Sequence, residues 1–258
     1  MFFHHHLFRW ICFTIITILL NVPFYGMEEG FSESVEGDVF SWSRQILRSI
    51  QEEEYFVSWQ EKCAIPGGKS GYHMVNRTQN LRLYFYPDGV KVINRKDRLA
   101  SRVHAWELAG IGKDSIEPAT PPVMKIDQNK IEYTRGVIIE SYENCKSGIR
   151  QKIIVKKPSE GRGPLKIAIE YSGDLKPLRK NDRLIEFHDK SKAILQMHRL
   201  RVKNSEEEEL VFRSSLEKSR LIISIHDEDA SYPLTLDAII VSLPPWISSG
   251  NMAKENFG

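Results

Sequence analysis

The chain has 258 residues, 41% of them hydrophobic and 27% charged, which is enough apolar material for one large β domain or two smaller ones. A formal net charge of +2 supplies no strong field for nucleic acid or an anionic membrane surface, so neither is expected as a partner. Its 16 glycines and 12 prolines are spread along the sequence, a pattern that suits many short strands and argues against long helices.

Residues 1–26, MFFHHHLFRWICFTIITILLNVPFYG, read as a signal peptide. His4 to His6 and Arg9 form a weakly basic leader, in which the histidines stand in for lysine rather than for metal ligands. The apolar run from Trp10 to Leu20 is shorter than the ~20 residues a bilayer span needs and falls in the range of a signal core. Asn21 and Pro23 break it, and Gly26 offers a small residue for cleavage, although Phe24 is bulky for that site. The expectation is a secreted or cell-surface protein with no stable membrane span after cleavage; an uncleaved anchor is the alternative. Cys63 and Cys145 then remain, either as one disulfide or as two free thiols, because neither belongs to a C-x-x-C pair.

Residues 27–40 are acidic and rich in glycine and serine, as in a solvated arm. In SWSRQILRSIQEEEY, Trp42, Ile46 and Ile50 recur at four-residue spacing beside Leu47, which predicts a short amphipathic helix capped by Ser41 or Ser43. From Tyr55 onward short β-type runs alternate with turn residues. In LKIAIEYS, Leu165, Ile167 and Ile169 face one way and Lys166, Ala168 and Glu170 the other. Pro87-Asp88-Gly89 predicts a hairpin, and the stiff PATPPV stretch, Pro118 to Val123, a boundary. The fold class is therefore all-β, one or two antiparallel β-sandwich domains preceded by a short helix. The helix and a first sandwich part span 41–120, and a second part spans 121–243.

The chemical signals are weak. CAIPGGKSG ends like a phosphate-binding loop at Gly68-Lys69-Ser70, but Cys63 stands where that motif needs glycine. His73, His104, His188, His198 and His226 share no metal-ligand spacing, and the adjacent carboxylates Asp227, Glu228 and Asp229 read as a solvated turn rather than a calcium loop. No G-x-S-x-G or H-E-x-x-H occurs, so no catalytic residue, cofactor or metal is expected. Asn76-Arg77-Thr78 fits a glycosylation sequon. Among the tryptophans, Trp59 and Trp106 are the first candidates for a sugar-stacking platform.

The stretch LIISIHDEDASYPLTLDAIIV carries the most specific signal. It resembles the end of the N-terminal domain of large exported bacterial proteins with FG-GAP (integrin-like) β-propeller repeats. Ala230, Tyr232, Pro233, Leu234, Thr235 and Asp237 match that family's phrase, while Ala238 stands where proline is usual. QILRSIQEEEY, NRTQNLRLYFYPDGVKV, GRGPLKIAIEYSGDL and RLIEFHDKSKAILQMHRLRV follow in the family's order, so the likeness covers most of Ser41 to Val241. Residues 244–258 resemble a linker and the start of a first repeat, with Phe257-Gly258 as its FG. The resemblance implies a non-catalytic exported module that precedes a β-propeller, in adhesion or surface display, with a glycan or surface protein as ligand. The alternatives are a carbohydrate-binding or glycan-processing accessory domain, and a truncated product without a retained role. In this reading Pro233 sets the start of a strand, Tyr232 and Leu234 pack, and Asp237 bonds backbone amides at a turn.

Overall fold

Residues Leu165, Ile167 and Ile169, one face of an alternating run, all enter the buried core of the computed structural model. The structure describes residues 53–65, 67–96 and 102–243. The signal, the acidic arm, the amphipathic helix and the segment 244–258 lie outside the described residues.

Strands dominate, and every pairing is antiparallel, as short turns between consecutive runs require. The first sheet contains β1 (Ser58–Gln60), β2 (Gly71–Asn76), β3 (Leu81–Tyr86), β4 (Gly89–Asn94), β5 (His104–Gly112) and β6 (Glu117–Pro118). The second contains β7 (Val123–Asp127), β8 (Lys130–Arg135), β9 (Ile138–Cys145) and β10 (Gly148–Val155). The chain then alternates between them. β11 (Leu165–Gly173) joins the first sheet, and β12 (Lys176–Asn181), β13 (Leu184–Asp189) and β14 (Lys192–Lys203) the second. β15 (Phe212–Glu217) and β16 (Arg220–Ile225) return to the first, and β17 (Leu234–Ser242) ends in the second. Spatial orders are β1-β2-β3-β4-β5-β11-β16-β15, with β6 on β5, and β12-β13-β14-β17-β10-β9-β8-β7.

The hairpin expected at Pro87-Asp88-Gly89 joins β3 to β4. Gly89 has φ 132°, and a Cβ there would meet the Trp106 carbonyl oxygen at 2.7 Å, so glycine serves both the turn and the neighbouring strand. The proline-rich stretch is where the chain passes from β6 to β7, that is, from one sheet to the other. The parts on either side of it interleave: both sheets bury their inner faces in one core, within a single compact unit. This is one antiparallel β-sandwich. The glycine-rich CAIPGGKSG segment covers the outer face of the first sheet, where Cys63 and Ile65 pack with Tyr84, Tyr86 and Ile93.

The chain comes into the sandwich and leaves it at the same end, on either side of the β2–β3 turn. Asn144 Nδ2 donates to the carbonyls of Tyr55 (2.9 Å) and Val75 (3.0 Å), while Asn76 Nδ2 donates to Asn144 Oδ1 at 2.9 Å. At the other side of that turn Ser242 N donates to Gln79 Oε1 at 3.3 Å, and Ser242 Oγ donates to the Gln79 carbonyl.

Candidate functional site

A polar cluster sits inside the apolar sandwich, built by residues that point inward because they share a face with core residues. Glu140 and Tyr142 follow Ile138 along β9, Gln151 lies between Ile149 and Ile153 on β10, and Arg135 follows Tyr133 on β8. Tyr142 Oη donates to Glu140 Oε1 at 2.6 Å, Gln151 Nε2 donates to the same oxygen at 3.1 Å, and Arg135 donates to Glu140 Oε2 at 3.1 Å. Tyr142 Oη in turn accepts from Gln151 Nε2 at 2.9 Å and, across the sheets, from Trp106 Nε1 at 2.8 Å. Each amide hydrogen of Gln151 has one acceptor, and the phenol donates once and accepts twice. Burial, reinforced by the Glu140 charge, pushes the Tyr142 phenol well above its ordinary pKa, so it stays a donor. With Glu140 2% exposed and Tyr142 fully enclosed, no substrate reaches these groups. The cluster ties the sheets together; Tyr133 Oη adds a second tie by donating to the Tyr86 carbonyl at 3.0 Å.

The residues of the A-x-Y-P-L-T-x-D phrase are brought to two places. Tyr232 and Ala230 pack against the core, and Leu234 is buried at the start of β17. Tyr232 Oη donates to Asp227 Oδ2 at 2.6 Å, and that oxygen also receives Lys113 Nζ at 3.1 Å, while Asp227 Oδ1 accepts from the Leu165 amide at 3.3 Å. Asp227 is 4% exposed, so one member of the supposedly solvated acidic turn is an anchor; its neighbours His226, Glu228 and Asp229 are exposed. Thr235 and Asp237 point away from the core along β17. Among the described residues Asp237 bonds no backbone amide at a turn. It lies mid-strand and accepts from Arg201 of β14 at 2.8 Å, with Arg150 of β10 at 3.8 Å. Because both arginines are partly exposed, replacing Asp237 by Ala is expected to cost only about 1 kcal/mol, read as a small fall in melting temperature. A fall as large as that of a core truncation would contradict this reading.

The proposed stacking pair separates. Trp106 is 3% exposed and committed to Tyr142, so it presents no face to a sugar. Trp59 is 49% exposed on β1, held edge-on to Tyr72 at 4.9 Å and through its indole nitrogen to Glu61 at 3.0 Å. Cys63 and Cys145 are free thiols: Cys63 opens the glycine-rich segment and is buried against Tyr84, Tyr86 and Ile93, and Cys145 ends β9. The sequon asparagine, Asn76, is fully buried, with its amide donated to Asn144 and to the Cys145 carbonyl, so the folded protein offers no acceptor there.

At the end of the sandwich opposite the incoming chain lies a cleft of ≈ 660 Å³, between the β5–β6 turn, the β8–β9 turn and the segment after β10. Lys113, Asp114, Glu117, Arg135 and Glu160 line it, with Val137 exposed at 42%. Lys113 is engaged by Asp227 and Arg135 by Glu140, which leaves the carboxylates of Glu117 and Glu160 facing solvent. The Asp227–Tyr232 anchor thus braces one wall of the cleft, a link no local motif announces. Among the described residues there is no group of three or more His, Cys, Asp or Glu suited to hold a metal. Among them, too, no helix is long and apolar enough to cross a membrane.

Fold and site together define an antiparallel β-sandwich whose buried polar groups serve to tie its layers. No protein-family model matches the chain, and no curated protein does.

Proposed function

We propose that the chain is a non-catalytic, exported β-sandwich module that precedes a β-propeller and serves in cell-surface adhesion or display. One observation carries the reading beyond the sequence resemblance: incoming and outgoing chain flank one β2–β3 turn, through the Asn144–Tyr55 and Ser242–Gln79 bonds, so the opposite end and its cleft face away from both. A module mounted at one end presents the other. The signal-like leader supports export, and the A-x-Y-P-L-T-x-D phrase supports the propeller that would follow.

Intact mass and N-terminal sequence of the native product, recovered from cell envelope and medium, test this. The expected species begins near Met27 and is much heavier than this chain. A product that keeps its leader inside the cell, or none at all, overturns it. A carbohydrate-binding role rests on Trp59 alone, since Trp106 is enclosed. Oligosaccharides that change tryptophan fluorescence in the parent chain but not in Trp59→Ala would favour it.

A further inference from the structure

His104 opens β5 at the end where the chain comes in and leaves, paired with Val92 on one side and Gly173 on the other. Its ring is 1% exposed and wedged between the sheets: Tyr171 of β11 stacks on it at 5.7 Å, and Phe187 of β13 reaches it from the facing sheet at 4.8 Å. Among the described residues neither ring nitrogen has a hydrogen-bond partner, and neither does the Tyr171 hydroxyl beside it. A core that satisfies Glu140, Tyr142 and Gln151 so completely leaves three polar atoms unpartnered at this one spot. An imidazole held there is tolerated neutral at a modest cost; an imidazolium with no acceptor is not.

We propose that His104 is an acid-operated latch: protonation of its ring opens this end of the sandwich, from Val103 through the β11–β12 turn to β13. The backbone there is close-fitted and has little room to adjust without opening. Gly173, at φ 101°, lies so near the Val103 carbonyl that a Cβ would approach it to 2.1 Å. Asp174 clamps Val103 by accepting its amide proton at 2.8 Å, and an Arg102–Asp189 ion pair at 3.0 Å links the start of β5 to the end of β13. The titratable and charged groups around the ring are therefore the Tyr171 phenol, the Asp174 carboxylate and that ion pair; β4 offers Val92, and β13 offers Phe187. Burial lowers the His104 pKa from 6.5 to about 4, with the Asp174 charge opposing the shift only in part. The sign follows. The open state takes up its proton first as pH falls, so opening gains tenfold per unit from pH 6.5 down to about 4, and nothing further below that. This inference is independent of the adhesion reading.

Native-state hydrogen exchange of the full chain at pH 7.5 and 5.0, corrected for intrinsic exchange rates, is the test. Amides of residues 104–106, 171–175 and 185–189 are expected to open about 30-fold more at pH 5.0. His104→Phe, which keeps a ring of similar size, should abolish that increment while leaving exchange in β9 and β10 unchanged. An increment that persists in His104→Phe, or that is absent from the parent chain, overturns the proposal. A second readout needs no variant: the imidazole ¹⁵N signals of the parent chain. They should show a neutral ring while the neighbouring amides remain protected. Titration near pH 6.5 with those amides still protected would equally overturn it.

Discussion

Replacing Glu140 by Ala is expected to destabilise the protein by about 3–5 kcal/mol, because it strands a buried guanidinium. Arg135 is 6% exposed and donates to Glu140 at 3.1 Å; the substitution also deprives Tyr142 and Gln151 of their acceptor. For a domain of this size such a loss lowers the melting temperature by roughly 10 °C. Glu140→Gln keeps the shape and an acceptor for Tyr142 but removes the charge opposite Arg135, so its effect should fall between Ala and the parent. The comparison that isolates burial is Glu143→Ala, one β9 residue further out of the core. Glu143 meets Arg150 only at 3.7 Å on a partly exposed face, and the expected change is within about 0.5 kcal/mol. Equal melting curves for Glu140→Ala and the parent would show that the cluster does not tie the sheets.

The second large effect belongs to Asp227. Its side chain is 1% exposed and holds Lys113, Tyr232 and the Leu165 amide at once, so Asp227→Ala should cost about 3 kcal/mol or more. Burial, and then the bond to Asp227, raises the Tyr232 phenol above its ordinary pKa, which keeps it the donor in this pair. Tyr232→Phe alone should therefore cost only about 1 kcal/mol. In the double variant the two losses should fall short of adding, because Tyr232 has nothing to bond once Asp227 is gone. Strict additivity would mean that Asp227 acts through Lys113 and the backbone instead. Thermal or urea unfolding of the four proteins decides between these.

How far the sequence announced this structure differs from place to place. Strands were legible where one face was plainly apolar, as at Leu165, Ile167 and Ile169, and where turn chemistry was explicit, as at Pro87-Asp88-Gly89. β9 could not be oriented in that way: Ile138, Glu140, Tyr142 and Asn144 form one face, Ile139, Ser141, Glu143 and Cys145 the other, and both mix polar with apolar residues. Which carboxylate goes inward is settled by partners from β5, β8 and β10, over separations that no local pattern encodes. The strand Gly71–Asn76 was hidden for a related reason, since its alternation is diluted by Tyr72 and His73 near the sheet edge.

The interleaving of the two sheets was equally illegible. Prolines at 118, 121 and 122 mark a real change of direction, but a crossover between two layers and a boundary between two domains look alike in sequence. Asp237 and Asp227 show the same limit for single residues. Both stand in acidic or turn-rich surroundings; one proves to be a mid-strand partner of half-exposed arginines on β14 and β10, the other a buried anchor among core elements. Trp106 is the counterpart among apolar residues, since a tryptophan that stacks on sugar and one that bonds a buried tyrosine carry the same letter.

Strands from both sides of residue 120 form one sandwich, locked by polar ties between its layers. Hydrogen exchange of the full chain in rising, sub-denaturing urea at neutral pH tests it most directly. A single sandwich predicts that β3, β5 and β11 of one sheet and β9, β10 and β17 of the other lose their slowest-exchanging amides together, at one common free energy. Two separate opening steps, one confined to residues before 120 and one to residues after, would contradict it.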